Sequence, residues 1–225
     1  MNRPYVLLSA ATSLDGCLDD TTDRRLLLSN PADFAEVDAE RARADAVLVG
    51  AGTVRADDPR LLVRSAEARA RRLAEGRAES PLKVTVSRRG DLDPDAAFFT
   101  AGDVGKLVYV TDPEAAVSAR VAEAATVVRA TGWPGVLSDL AARGVARLMV
   151  EGGASVHRQL LAAGLVDELR LSVAPFLIGD PEAPRFPGTG DFPYGPDSPL
   201  RLVECRALGD MVSLRYIVNR TALSG

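Results

Sequence analysis

The sequence predicts an α/β fold with a mainly parallel sheet and an antiparallel C-terminal hairpin. Three observations carry this. Short apolar runs alternate with helix-like stretches through most of the chain. The early runs are continuous, as strands buried on both faces read. Near the C-terminus, residues 200–206 and 211–218 flank Ala207-Leu208-Gly209-Asp210, the pattern of a hairpin.

Composition sets bounds. The chain has 225 residues, 47% apolar and 26% charged, which suits a globular protein with a sizeable core. A net charge of −4 gives no reason to invoke nucleic acid. No apolar run reaches the roughly 18 residues of a membrane span, and no signal peptide is visible, so a cytoplasmic protein is expected. Cys17, Cys205 and the single His157 make a poor zinc set, so no metal is expected.

Taken in order, residues 4–11 are the first strand and 12–16 the loop after it. Residues 19–25 are charged and read as a mobile loop. Asn30 and Pro31 start a helix as N-cap and first helical residue, running to about Ala44. Residues 45–50 are the second strand, Gly50-Ala51-Gly52-Thr53 the turn into a short helical segment, and 61–64 an extended piece. Residues 65–79, rich in Ala, Arg and Glu, read as a solvated helix or mobile insertion. Strands follow at 83–87, 107–111 and 126–129. A helix is expected from Asp112-Pro113 to Ala124, and another from Gly135 to Arg143. The sixth strand is 147–150, followed by a Gly152-Gly153 break and a helix from Ala154 to a C-cap at Gly164. Residues 169–175 alternate and read as a half-exposed strand. Residues 179–199 are a long loop. With no linker or internal repeat, one domain is expected.

In open α/β sheets ligands sit outside the carboxyl ends of the strands. The polar residues converge there: Ser13 and Asp15 after strand one, Thr53 and Asp57 after strand two, Ser87 after strand three, Glu151 after strand six. Gly152-Gly153 and the helix start at Ala154, Ser155 and Val156 form an anion site in which backbone approaches a pyrophosphate. Two glycine-rich strand ends therefore favour a nucleotide cofactor, although neither matches Gly-x-Gly-x-x-Gly. Arg88-Arg89 either reads the 2′-phosphate that separates NADPH from NADH or forms a solvated turn. His157 inside a helix does not suggest a hydrolytic triad.

Several motifs are familiar together. Ser13-Leu14-Asp15-Gly16, the stretch from Asp45 to Leu61 with its Gly50-Ala51-Gly52-Thr53 core, Val150-Glu151-Gly152-Gly153, and Gly164-Leu165-Val166-Asp167-Glu168-Leu169 with Ala174-Pro175 resemble the riboflavin-pathway pyrimidine reductase family. The resemblance implies a dihydrofolate-reductase-like fold, helices on both faces of the sheet. It implies NADPH-dependent reduction of a ribosylaminopyrimidine 5′-phosphate, such as 5-amino-6-(5-phosphoribosylamino)uracil, to the ribitylamino product, hydride going to C1′ of the ring-opened imine. By motif position, Ala11 (through backbone), Thr53, Asp57, Ser87 and the segment from Gly153 to Gln159 would contact the cofactor. Arg41, Leu61, Arg64 and Glu151 would line the substrate side, with Arg41 and Arg64 as phosphate holders. Glu151 would hold or protonate the substrate, and Asp15 would orient the base or sugar.

The resemblance also implies a homodimer through the C-terminal strands, whose edges need covering. The sequence departs from the family in lacking a zinc deaminase segment, so a stand-alone reductase is expected. It also departs at Arg25 and Leu27, where the family often has a polar and an aromatic residue. Alternatives are a same-fold reductase of a 2,5-diaminopyrimidinone ribosyl phosphate or a pterin, or a non-catalytic NADPH-binding protein.

Overall fold

The computed structural model of the chain describes residues 2–22, 24 and 26–218. Arg25, one of the two departures, lies outside them. The elements in order are β1 (Tyr5–Thr12), α1 (Pro31–Arg43), β2 (Ala46–Gly50), α2 (Ala51–Asp57), α3 (Ala66–Ala74), β3 (Leu82–Ser87), α4 (Ala97–Thr100) and β4 (Lys106–Val110). Then come α5 (Ala119–Ala124), β5 (Thr126–Arg129), α6 (Gly132–Ala142), β6 (Arg147–Gly152), α7 (Ala154–Ala162), β7 (Glu168–Val173), β8 (Arg201–Leu208) and β9 (Met211–Ile217). The residues gather into two compact units. One holds Asp38–Gly153 with the N-terminal residues up to Tyr5; the other holds Val6–Val37 with the chain from Ala154 onward.

In the first unit five parallel strands stand in the order β5-β4-β3-β2-β6. Every residue of β2 is buried, which is why Ala46-Val47-Leu48-Val49-Gly50 carries no alternation. The chain steps outward from β2 through β5, then returns to lay β6 on the other side of β2. That reversal is a topological switch point, the place where ligands of open α/β sheets bind, outside the strands' carboxyl ends.

In the second unit β1 and β7 are parallel, and the β8–β9 hairpin joins in antiparallel fashion with β9 against β7 and β8 at the edge. The predicted cap of α1 holds: the Asn30 side chain accepts the Asp33 N–H at 2.9 Å, and Pro31 is the first helical residue. Among the described residues no helix is long and apolar enough to cross a membrane.

Of the two readings of residues 65–79 the solvated helix is the one found: Ser65 caps α3 and most of the segment is exposed, with Arg72, 4% exposed, anchored to backbone carbonyls. Two expectations need correction. The expected helix 112–124 shrinks to α5, because the Asp112 side chain holds the Glu114 N–H in a turn and Ser118 is the cap in use. The strand read as half-exposed is interior: β7 lies between β1 and β9, and its polar residues are inside. Arg170 meets Asp33 at 2.5 Å with both side chains 1% exposed, and Ser172 donates to the same carboxylate. Finally, α4 was not anticipated. Buried Lys83 on β3 stabilises it by donating to the carbonyls of Phe98 (3.0 Å) and Ala101 (2.6 Å); burial pushes the lysine's pKa down to about 8.

Candidate active site

The first unit gathers the Thr53, Ser87 and Glu151 set at one rim, because β2, β3 and β6 are parallel and all end there. Gly50 passes straight into α2, placing Thr53 beside the end of β6. A Cβ built on Gly153 would lie 2.8 Å from Thr53 Oγ1, and one on Gly152 would lie 3.6 Å away. Only a residue without a side chain fits at Gly153 with Thr53 in place. The Gly152–Gly153 peptide is cis. Ser87 is buried at the end of β3, where its hydroxyl accepts the Gly90 N–H at 2.9 Å and donates to Asp91 at 3.2 Å. Gly90, at φ +72°, closes the turn, and Arg88 and Arg89 are exposed on it. Asp57 is exposed in the last turn of α2.

Glu151 stands where the ladder breaks step. Leu48 on β2 pairs with Val150 but Val49 pairs with Gly152, so Glu151 is the residue skipped. Such irregularities re-aim a side chain. Its carboxylate is held by Arg41 of α1 in a two-pronged pair, Nε to Oε1 at 2.5 Å and Nη2 to Oε2 at 2.6 Å. Both side chains are only 12–13% exposed. Burial works to lower the Arg41 pKa, but the charge and hydrogen bonds of Glu151 outweigh it and hold the guanidinium above its ordinary value. The third edge of Arg41 donates to the Leu62 carbonyl at 3.2 Å. Arg41, expected as a phosphate holder, is thus engaged with the other expected substrate residue.

Leu61 is buried at φ +51°, and Arg64 is exposed three residues on. Two residues that sequence reasoning missed shape this segment. Asp38 accepts the N–H groups of Arg64 and Ser65, and Ser80 Oγ accepts that of Val63. Asp38 precedes Arg41 by three positions, hence on the same helical face; that spacing was the available signal.

In the second unit Asp15 follows β1. It accepts hydrogen bonds from the Ser13 hydroxyl (2.5 Å), the Ile178 N–H (3.1 Å) and the Gly179 N–H (2.7 Å). These bonds, the Ser13 hydroxyl's foremost, hold its carboxyl well below the usual carboxylate range. Asp15 therefore fastens the loop after β1 to the loop after β7. Ala11 lies in β1. Ala154, Ser155 and Val156 make the first turn of α7, where Gln159 donates to Ser155 Oγ at 2.9 Å. His157 is buried, its ring edge-on to Phe186.

A mainly parallel sheet with an antiparallel C-terminal hairpin and polar residues at the carboxyl rim of its switch point defines a dihydrofolate-reductase-like α/β enzyme. The RibD C-terminal domain model matches residues 4–214, and the chain belongs to that family. It is 40% identical over 81% of its length to the 2,5-diamino-6-ribosylamino-4(3H)-pyrimidinone 5′-phosphate reductase of Archaeoglobus fulgidus, covering 85% of that protein. It is 34% identical over 96% of its length to the protein of the same name from Methanothermobacter thermautotrophicus, covering 99% of it. Its fold superposes on Acinetobacter baumannii RibD with a TM-score of 0.81 at 26% identity, covering 97% of this chain and 59% of that one. Membership places the chain among the oxidoreductases of riboflavin biosynthesis and implies a nicotinamide cofactor. The residues present fit a dinucleotide: the Thr53–Gly153 approach leaves backbone uncovered at the switch point.

Proposed function

We propose that the protein reduces 2,5-diamino-6-ribosylamino-4(3H)-pyrimidinone 5′-phosphate to its ribitylamino counterpart with NADPH. The observation that carries this is the Arg41-held Glu151, set at the ladder irregularity beside the glycine cradle. When bound, the cofactor supplies a hydride to C1′ of the ring-opened substrate; a proton joins the adjacent nitrogen.

The chain's own residues bind and orient. In the first unit Gly152 and Gly153 face the pyrophosphate, with Thr53, Asp57 and Ser87 completing that unit's cofactor contacts; in the second unit the candidates are the Ala11 backbone and the first turn of α7 from Ala154 to Val156. Arg88 reads the 2′-phosphate. Leu61 and Arg64 face the sugar phosphate, and Arg64 holds it. Glu151 accepts from a substrate hydroxyl or amine N–H. Both of its oxygens already accept from Arg41, so donating a proton would break the fork, and water supplies the proton. Asp15 fastens the second unit's loops rather than serving as an acid. The same reading carries a homodimer paired through the C-terminal hairpin.

A second reading keeps the chemistry but takes the uracil form of the ring, as the motif resemblance implies. Incubating the purified chain with each ribosylaminopyrimidine phosphate and following loss of NADPH absorbance decides between them. Turnover of the diaminopyrimidinone is expected, with Arg88→Ala lowering the preference for NADPH over NADH. NADPH binding without turnover of either ring would sink the enzyme reading.

A further inference from the structure

We infer that Asp38 is a positioning residue for recognition of the substrate's 5′-phosphate; this rests on the reading in which Arg64 holds that phosphate. Residues 58–65 belong to no helix or strand, so no ladder fixes them. Their backbone is held from outside instead. Arg41 donates to the Leu62 carbonyl, Ser80 accepts the Val63 N–H at 2.9 Å, and Arg69 donates to the Arg64 carbonyl at 2.7 Å. Asp38, 7% exposed, accepts two consecutive N–H groups, Arg64 at 2.6 Å through Oδ1 and Ser65 at 2.9 Å through Oδ2.

Both backbone polar groups of Arg64 are therefore tied down while its side chain reaches solvent. A flexible cation becomes a directed one, because the root of its side chain is fixed. The charge of Asp38 cannot itself be the attraction: a carboxylate repels phosphate. Two amide dipoles and the nearby Arg41 cation offset it. What remains useful in Asp38 is its geometry, two acceptors on one rigid helix face matched to two successive amides. The same face, one turn on, carries Arg41 and so holds Glu151. One helix thereby sets the spacing between the phosphate holder and the carboxylate.

Asp38→Asn keeps the shape but leaves one amide without an acceptor. The expected result is a KM for the phosphorylated substrate raised roughly tenfold, kcat and the KM for NADPH little changed, and no difference from wild type on the substrate stripped of its 5′-phosphate. Asp38→Glu keeps both oxygens but displaces them by a methylene; it should shift the same ratio in the same direction. Arg64→Met serves as reference. If Arg64→Met loses the phosphate preference and neither Asp38 variant does, Asp38 has no part in positioning and the functional reading stands. If Arg64→Met keeps the preference, the phosphate assignment fails and the Asp38 role with it. An equal KM rise on both substrates would mark Asp38 as merely structural and overturn the inference.

Discussion

A carboxylate at residue scale is defined by what already occupies its oxygens. Asp15 spends both on the Ser13 hydroxyl and the amides of Ile178 and Gly179. Because its folded pKa lies below the ordinary 3.8, its contribution to stability is complete above that value and is lost as pH falls below it. Wild-type protein unfolded with urea at a series of pH values should therefore lose stability below about pH 4 more steeply than Asp15→Asn, which has no such carboxylate to protonate. Superimposable acid limbs for the two proteins would show that Asp15 is not a latch. The loop itself was legible, since Ser13-Leu14-Asp15-Gly16 carries turn residues. Its partners were not, because they are backbone amides far along the chain. The Arg41–Glu151 fork was half legible in the same sense: both residues were placed on the substrate side, but nothing in the sequence pairs a helix arginine with a carboxylate at a skipped ladder position.

At the scale of elements, α3 shows what a charge-rich stretch leaves unread. Residues 65–79 read as a solvated helix or mobile insertion and the helix is there, but Arg72 donates inward to the carbonyls of Ala78 (2.8 Å), Ala42 (2.7 Å) and Ala44 (2.9 Å). Arg77 adds bonds to Ala44 and Asp45. The carbonyls of residues 42 and 44 lie at the C-terminal end of α1, where unpaired carbonyls and the helix dipole favour cations. Burial, then the neighbouring Arg77 charge, lowers the Arg72 pKa, the sign of a cation taken out of water to serve backbone oxygens. Arg72→Met should lower the unfolding free energy by about 2–3 kcal/mol, from buried carbonyls left without donors. Arg71→Met, which loses only an exposed pair with Glu67, should cost at most about 0.5 kcal/mol. Equal losses in urea titrations would refute the anchoring role. A carbonyl partner leaves no mark in composition. Alternation in β7 failed for a related reason: Arg170 and Ser172 look outward-facing until Asp33 is there to receive them.

At the scale of the whole molecule, the kind and sequence of strands were legible from continuous apolar runs, but their spatial order was not. Nothing local distinguishes β6 laid beyond β5 from β6 returned to the flank of β2, although that return makes the switch point. The hairpin was legible, and its free side raises the question of what covers it. Among the described residues β8 pairs only with β9, and it is exposed along nearly its whole length. Two of its charges are engaged within the chain, Arg206 with Glu36 and Glu204, and Glu204 also with Arg215 of β9, while Arg201 is exposed. Between Arg201 and Glu204 stand two apolar residues, Leu202 at 49% and Val203 at 38% exposure, beside a break in register that skips Val203. An edge whose central charges are paired and whose apolar residues face water is a template for association. Sedimentation of the wild-type chain should give the mass of a dimer, and the pair Leu202→Lys with Val203→Lys, which puts two cations on that edge, should give a monomer with an unchanged melting midpoint. A wild-type monomer, or a dimer indifferent to both lysines, would move the association surface away from β8.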